Sequence, residues 1–86
     1  MTVGQDIDRM LEKVRQQRDE LKLQAHLFGA ETRDEWDKVE DQWQDFQSRV
    51  KQVGAAGSEA SEAIGDAVKI LGQEMLEGYR KIRRAL

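Results

Sequence analysis

The side chains able to carry chemistry are few and do not converge. His26 is the only histidine. A zinc or di-iron centre needs several ligands at spacings such as Glu-x-x-His or His-x-x-x-His, and neither spacing occurs. Cysteine is absent, which removes thiolate metal sites, disulfides and thiol redox chemistry. Ser48, Ser58 and Ser61 have no partnering base, so a nucleophilic triad is not expected. No glycine-rich phosphate loop follows a strand, because no strand is legible. His26 reads as an ordinary helix histidine. The expectation is a non-enzymatic chain with no metal and no cofactor.

Two charged segments are the remaining candidates. Glu31, Asp34, Glu35, Asp37, Glu40, Asp41 and Asp45 form an acidic stretch softened by Arg33 and Lys38. A cation site would need these carboxylates gathered by a loop such as Asp-x-Asp-x-Asp-Gly. They are instead spread around a helix, which is the pattern of a solvated face. Arg80, Lys81, Arg83 and Arg84 form a basic turn beside Tyr79, Ile82 and Leu86. That turn suits an acidic partner protein or acidic lipid head groups. Cations are also favoured at any helix C-terminus. Four charges in a chain of net charge −3 fall short of a nucleic-acid footprint.

These side chains must be placed by helices. The chain has 86 residues, enough for a single domain over 1–86, and it lacks proline altogether. Its 38% apolar content is too high and too regularly patterned for a disordered chain, yet lean for a compact monomer. An apolar stripe runs through Ile7, Met10, Val14, Leu21, Ala25, Phe28, Thr32, Trp36, Val39, Trp43, Phe46, Val50 and Val53, with polar Gln17 or Arg18 interrupting it. Its steps are mostly threes and fours, one face of a helix. A second stripe holds Ala60, Ile64, Ala67, Leu71, Met75, Gly78, Ile82 and Ala85, widened by Val68, Tyr79 and Leu86. Between them lies Gly54-Ala55-Ala56-Gly57-Ser58. Gly54 suits the left-handed residue that closes a helix, and Ser58 suits the N-cap of the next.

The reading is therefore all-α: a helix over 4–53, a turn at 54–57 and a helix over 58–85, packed as an antiparallel hairpin. The alternative is a three-helix bundle broken near Gly29, where Thr32 and Glu35 fit a capping box. The stripe keeps its phase through Gly29, and one mid-helix glycine costs only ~1 kcal/mol, which favours the continuous helix.

A turn centred between residues 55 and 56 sets Trp43 opposite Val68 and Trp36 opposite Met75. It brings Phe46 near Gly65, Val39 near Gly72 and Arg80 beside Glu31. The expected hairpin core is Trp36, Val39, Trp43, Phe46, Val50, Ile64, Val68, Leu71, Met75 and Ile82. Residues 1–24 then have no partner within the hairpin. A helix of that length is marginal alone, so Ile7, Met10, Val14, Leu21 and Phe28 are expected at an interface with another chain. Around residues 21–28 the helix is apolar on two sides, Leu21-Ala25-Phe28 and Leu23-Leu27, which suggests two packing neighbours.

The runs Arg18–Leu27, Asp34–Trp43 and Glu77–Leu86 together resemble small bacterial coiled-coil proteins that pair an Asp-Glu-Trp segment with a Gly-Tyr-x-x-Ile-Arg ending. The resemblance covers most of residues 18–86 and rests on helix-packing motifs. It implies a bacterial, cytoplasmic setting and a helical hairpin, and it brings no activity or site residues. The N-terminus lacks a basic n-region and an apolar h-region, so no signal peptide is expected. The resulting expectation is a self-associating interaction module, a homo-oligomer of dimer size or larger, that binds another protein. A peripheral, amphipathic membrane-binding protein is the runner-up.

Overall fold

Ile7, Val14 and Leu21 stand one heptad apart, and Phe28 continues the spacing. A helix carrying such a stripe is stable only when the stripe is covered. The computed structural model describes residues 3–56 and 62–86, with side chains described over 6–54 and 64–86. It shows how the cover is made. Helix α1 spans Val3–Leu23, α2 spans Ala30–Ala56 and α3 spans Glu62–Ala85. A single 3₁₀ turn, Ala25–Leu27, lies between α1 and α2.

The chain does not run as one helix over 4–53; it breaks at the connector and folds back. Gln24 N–H donates to the Leu21 carbonyl, Leu27 N–H to Gln24 and Phe28 N–H to Ala25, which tightens the end of α1 into 3₁₀ geometry. Phe28 is extended (φ −73°, ψ 128°) and turns the chain back. Arg33 N–H then donates to the Gly29 carbonyl and opens α2. The break is local, because the connector replaces lost helical bonds with its own. Folding back buries Ile7, Val14 and Leu21, each worth ~1.5–3 kcal/mol. That gain exceeds the cost of interrupting the helix. Thr32 lies inside α2, so the capping box expected there is not used. At the other end α2 continues through Gly54 to Ala56, where a turn was expected. Ser58 and its expected N-cap lie outside the described residues.

The helices form an up–down–up bundle. Asp6–Lys69 and Glu20–Arg83 are both 63 residues apart and both bridge α1 to α3, so these two helices are parallel. Arg18–Glu40 ties α1 to an antiparallel α2. The described residues fill a volume of 43 × 19 × 16 Å, close to the ~40 Å length of α2 at 1.5 Å per residue.

Both α1 and α2 press onto α3 at its glycines. A Cβ on Gly72 would lie 2.6 Å from Met10 Cγ and 3.3 Å from Phe46 Cε2. A Cβ on Gly78 would lie 2.6 Å from Val39 Cγ2. Val39 thus meets Gly78 where Gly72 was expected, and Phe46 meets Gly72 where Gly65 was expected. The register has slipped one place along the row of glycines. The physical reason is that α2 runs on past Gly54 and moves the reversal toward α3.

The two glycines differ in what they face. Met10 is flexible and can swing aside. Val39 is β-branched and stiff. Gly78→Ala is therefore expected to cost ~1–3 kcal/mol of overpacking, against ~1 kcal/mol of helix propensity regained. Gly72→Ala is expected to be closer to neutral. Thermal melts of both variants check the order: Gly78→Ala melts below Gly72→Ala, and equal melting temperatures would contradict the register described.

Candidate functional site

No charged side chain is fully buried among the described residues, and the partly buried polar pairing between the helices centres on Arg18. This residue interrupts the apolar stripe of α1 between Val14 and Leu21, so the helix must point a long cationic side chain toward its neighbours. Arg18 Nε donates to Glu40 Oε1 at 2.8 Å, and Nη2 donates to Oε2 at 3.0 Å. That two-pronged geometry is among the stronger side-chain pairings. The guanidinium also lies 5.1 Å from the centre of the Trp43 ring, a cation–π placement. Asp19 is a weaker, more exposed neighbour at 3.9 Å. The hydrogen bond to Glu40 strengthens the hold of Arg18 on its proton.

Tyr79 belongs to the same region from the α3 side. Its side chain is fully buried, and its hydroxyl has no hydrogen-bond partner among the described residues. Burial pushes the phenol above its ordinary value of 10.0. The negative charge of Glu40 adds to this, Arg18 opposes it and Asp19 reinforces it. Its ring lies 6.2 Å from that of Trp36, which lies 5.6 Å from Phe28. Trp43 stacks on Phe46 at 6.1 Å. An aromatic seam thus runs from the connector into the core.

This arrangement can hold helices in register. A phenol held in its neutral form donates no proton at neutral pH, and of the carboxylates that act on it Glu40 is engaged by Arg18. Among the described residues no group of three His, Asp or Glu side chains is placed to hold a metal ion. His26 is exposed in the connector. Within the acidic stretch, Glu40 is drawn inward to Arg18, while Glu31, Asp34, Asp37, Asp41 and Asp45 are exposed.

The residues expected at an interface with another chain are covered by this one. Ile7, Val14, Leu21 and Phe28 are buried in the common core, and Met10 packs against it. Of the expected hairpin core, Val39, Trp43, Phe46, Val68, Met75 and Ile82 are buried, and Trp36, Val50 and Leu71 pack beside them. Ile64 is 44% exposed and stands outside it. Tyr79, which widens the α3 stripe, and Val53, on the α2 stripe, are buried core residues that the expected hairpin core leaves out. Tyr79 lies four residues after Met75 and three before Ile82, beside the Gly78 placed on the stripe.

Arg80 does not face Glu31; it pairs with Glu77 on its own helix at 2.7 Å. Lys81 instead lines a shallow groove with Glu31, Thr32, Glu35, Ile82 and Ala85. Arg83 reaches across to Glu20 at 2.5 Å. Lys81 and Arg84 make no ion pair among the described residues.

Five large apolar side chains are left in solvent among the described residues: Ile64 and Ile70, 44% and 57% exposed, lie on α3 away from the connector, and the other three lie at the connector end. Leu23 is 80% exposed and Leu27 60% exposed. They flank or belong to the α1–α2 connector. Leu86, also exposed, lies at the same end because α1 and α3 run parallel. The sequence marks Leu23 and Leu27 as a second apolar side, and no described helix covers it. No described helix is long and apolar enough to cross a membrane. No family model, curated protein or solved structure matches the chain.

The unpaired phenol gives a test. Tyr79 has its titration raised in the folded state. It therefore contributes stability that is present below pH 10 and lost as the pH climbs through the folded value. Tyr79→Phe removes both the orphaned hydroxyl, whose burial costs ~1–3 kcal/mol, and the titration. The variant is expected to equal or exceed the wild type in urea melts at pH 7. Its advantage should widen above pH 10. A variant less stable than wild type at pH 7 would mean that the hydroxyl is hydrogen-bonded.

Proposed function

We propose that this chain is a non-enzymatic helical interaction module that binds a protein partner through the connector end of its bundle. The observation that carries the reading is the exposure of Leu23, at the end of a helix whose other face buries Ile7, Val14 and Leu21, and of Leu27 in the connector that follows it. Exposed leucines gathered at one end of a small protein mark contact surfaces more often than scattered ones do. The interior supports the reading too, since its polar groups serve helix register. The earlier reason for self-association, an uncovered N-terminal stripe, gives way to this smaller surface.

A second reading has its own support. Lys22, Arg83 and Arg84 are exposed at the same end as Leu23, Leu27 and Leu86. Apolar side chains ringed by cations are also how a peripheral protein meets anionic lipid. The acids Glu31 and Asp34 share that end and weaken its attraction for lipid.

One experiment separates them. A photo-crosslinking side chain is placed at residue 23, at 27 or, as a control on the exposed face of α2, at 48. Crosslinks from 23 and 27 to a discrete protein, with none from 48, are the expected result. Crosslinks to lipid from 23 and 27 would replace this reading with the membrane one. Equal crosslinking from all three positions would sink both.

A further inference from the structure

The connector between α1 and α2 is held by its own backbone hydrogen bonds and by Phe28 in the core. Gln24 makes no side-chain cap, and none of Ala25, His26 and Leu27 in the 3₁₀ turn is buried. Gly29 has open space where a Cβ would lie and does not take a left-handed conformation. Nothing at that position requires the chain to break there. The apolar positions Leu21, Ala25, Phe28, Thr32 and Trp36 also keep helical phase straight through it. The same residues therefore suit two states: the closed bundle, and an open chain in which α1 and α2 form one helix.

We propose that two copies of this chain exchange α1, each open chain laying its α1 on the α2–α3 pair of the other. This rests on the interaction-module reading and names its first partner, a second copy. Exchange keeps the contacts that hold α1 in the closed bundle, Met10 against Gly72, Arg18 on Glu40, Asp6 with Lys69 and Glu20 with Arg83, now made between chains. That is why exchange of an element is a low-cost route to a dimer. Two features favour the dimer beyond what is conserved. The connector gains regular helical hydrogen bonds. The two connectors also run past each other at the two-fold axis, which brings Leu23 and Leu27 of each copy to those of the other. Exposed leucines are found where an exchanged dimer places its new interface.

The test uses Gly29. Alanine there fits the closed bundle, since its Cβ meets nothing, and favours the helical connector by ~1 kcal/mol, or about fivefold in the open population of each chain. Proline there suits the preceding residue of the closed bundle, since the extended Phe28 is the conformation a following proline imposes. It breaks a continuous helix. The full-length wild type, Gly29→Ala and Gly29→Pro are warmed to allow exchange, cooled, and measured by light scattering and small-angle scattering over a range of concentrations. The expected result is a twofold mass that is most populated in Gly29→Ala, lower in wild type and missing in Gly29→Pro. The dimer should contain a helix from Val3 to Ala56 of ~80 Å at 1.5 Å per residue, against 43 Å for the closed bundle. If Gly29→Pro fails to fold, the Gly29→Ala arm decides alone: no rise in dimer overturns exchange. A dimer equally populated in a folded Gly29→Pro would also overturn it, by showing an outer-face interface, and would leave the interaction-module reading standing. A monomer in all three, with the crosslinks from residues 23 and 27 intact, overturns exchange alone; loss of those crosslinks overturns the reading beneath it.

Discussion

At Gly78 the side chain of Val39 occupies the place a Cβ would take; at Gly72 the flexible Met10 does so, and Phe46 lies in tight contact. Close approach to α3 is the constraint on which the bundle depends. With the backbone of α3 bare at these points, both neighbouring helices lie deep against it. Their apolar stripes then reach Val68, Met75, Tyr79 and Ile82 together. A short chain has little surface to bury, so the depth of that approach decides whether a core forms at all. The fold-back at the connector follows from it. Once α3 offers a second bare flank, α1 gains more by lying there than by extending α2 into solvent.

The polar interior acts on specificity more than on strength. Apolar stripes alone tolerate a helix sliding by a turn. The Arg18–Glu40 pair does not, because its two parallel hydrogen bonds and the Trp43 face beneath the guanidinium are satisfied in one register only. Such pairs are weak as sources of stability once desolvation is counted, and are better understood as fixing arrangement. The unpaired Tyr79 hydroxyl is a local cost accepted beside it. Its ring fills the space between Trp36 and the rest of the core, and an apolar ring of the same shape would serve as well there.

Much of this was legible in the residues. The heptad of Ile7, Val14 and Leu21, the stripe of α2 and the α3 positions Val68, Met75 and Ile82 all follow from periodicity. The glycine row was recognisable as a place of close approach. The break near Gly29 was legible only as the less favoured alternative, because a stripe that keeps its phase through Gly29 is compatible with a straight helix and with a three-helix bundle whose connector preserves that phase. Choosing between them needs the energy of burying α1 against α3, which is a property of the pair and of neither helix alone. The α2–α3 register was misjudged for a related reason: Gly54 has the character of a helix terminator, yet α2 runs through it. Arg18 was visible as a polar interruption. Its partner Glu40 was hidden in a run of acids that otherwise face solvent. Leu23 and Leu27 stand out in the sequence as a second apolar side expected to meet its own packing neighbour; among the described residues both are exposed.

The account stands on α1 folding back against α2 and α3 within one chain. The most direct measurement is a distance between spin labels at Arg15 on α1 and Gln44 on α2, both exposed, in dilute protein mixed with excess unlabelled chain. In the closed bundle, whose cross-section is 19 × 16 Å, the two positions lie at neighbouring levels, since Arg18 bonds Glu40. The predicted distance is within about 25 Å, the bundle width plus the reach of the labels. A continuous helix would separate the same positions by ~44 Å at 1.5 Å per residue, and that distance in the dilute chain would contradict the account.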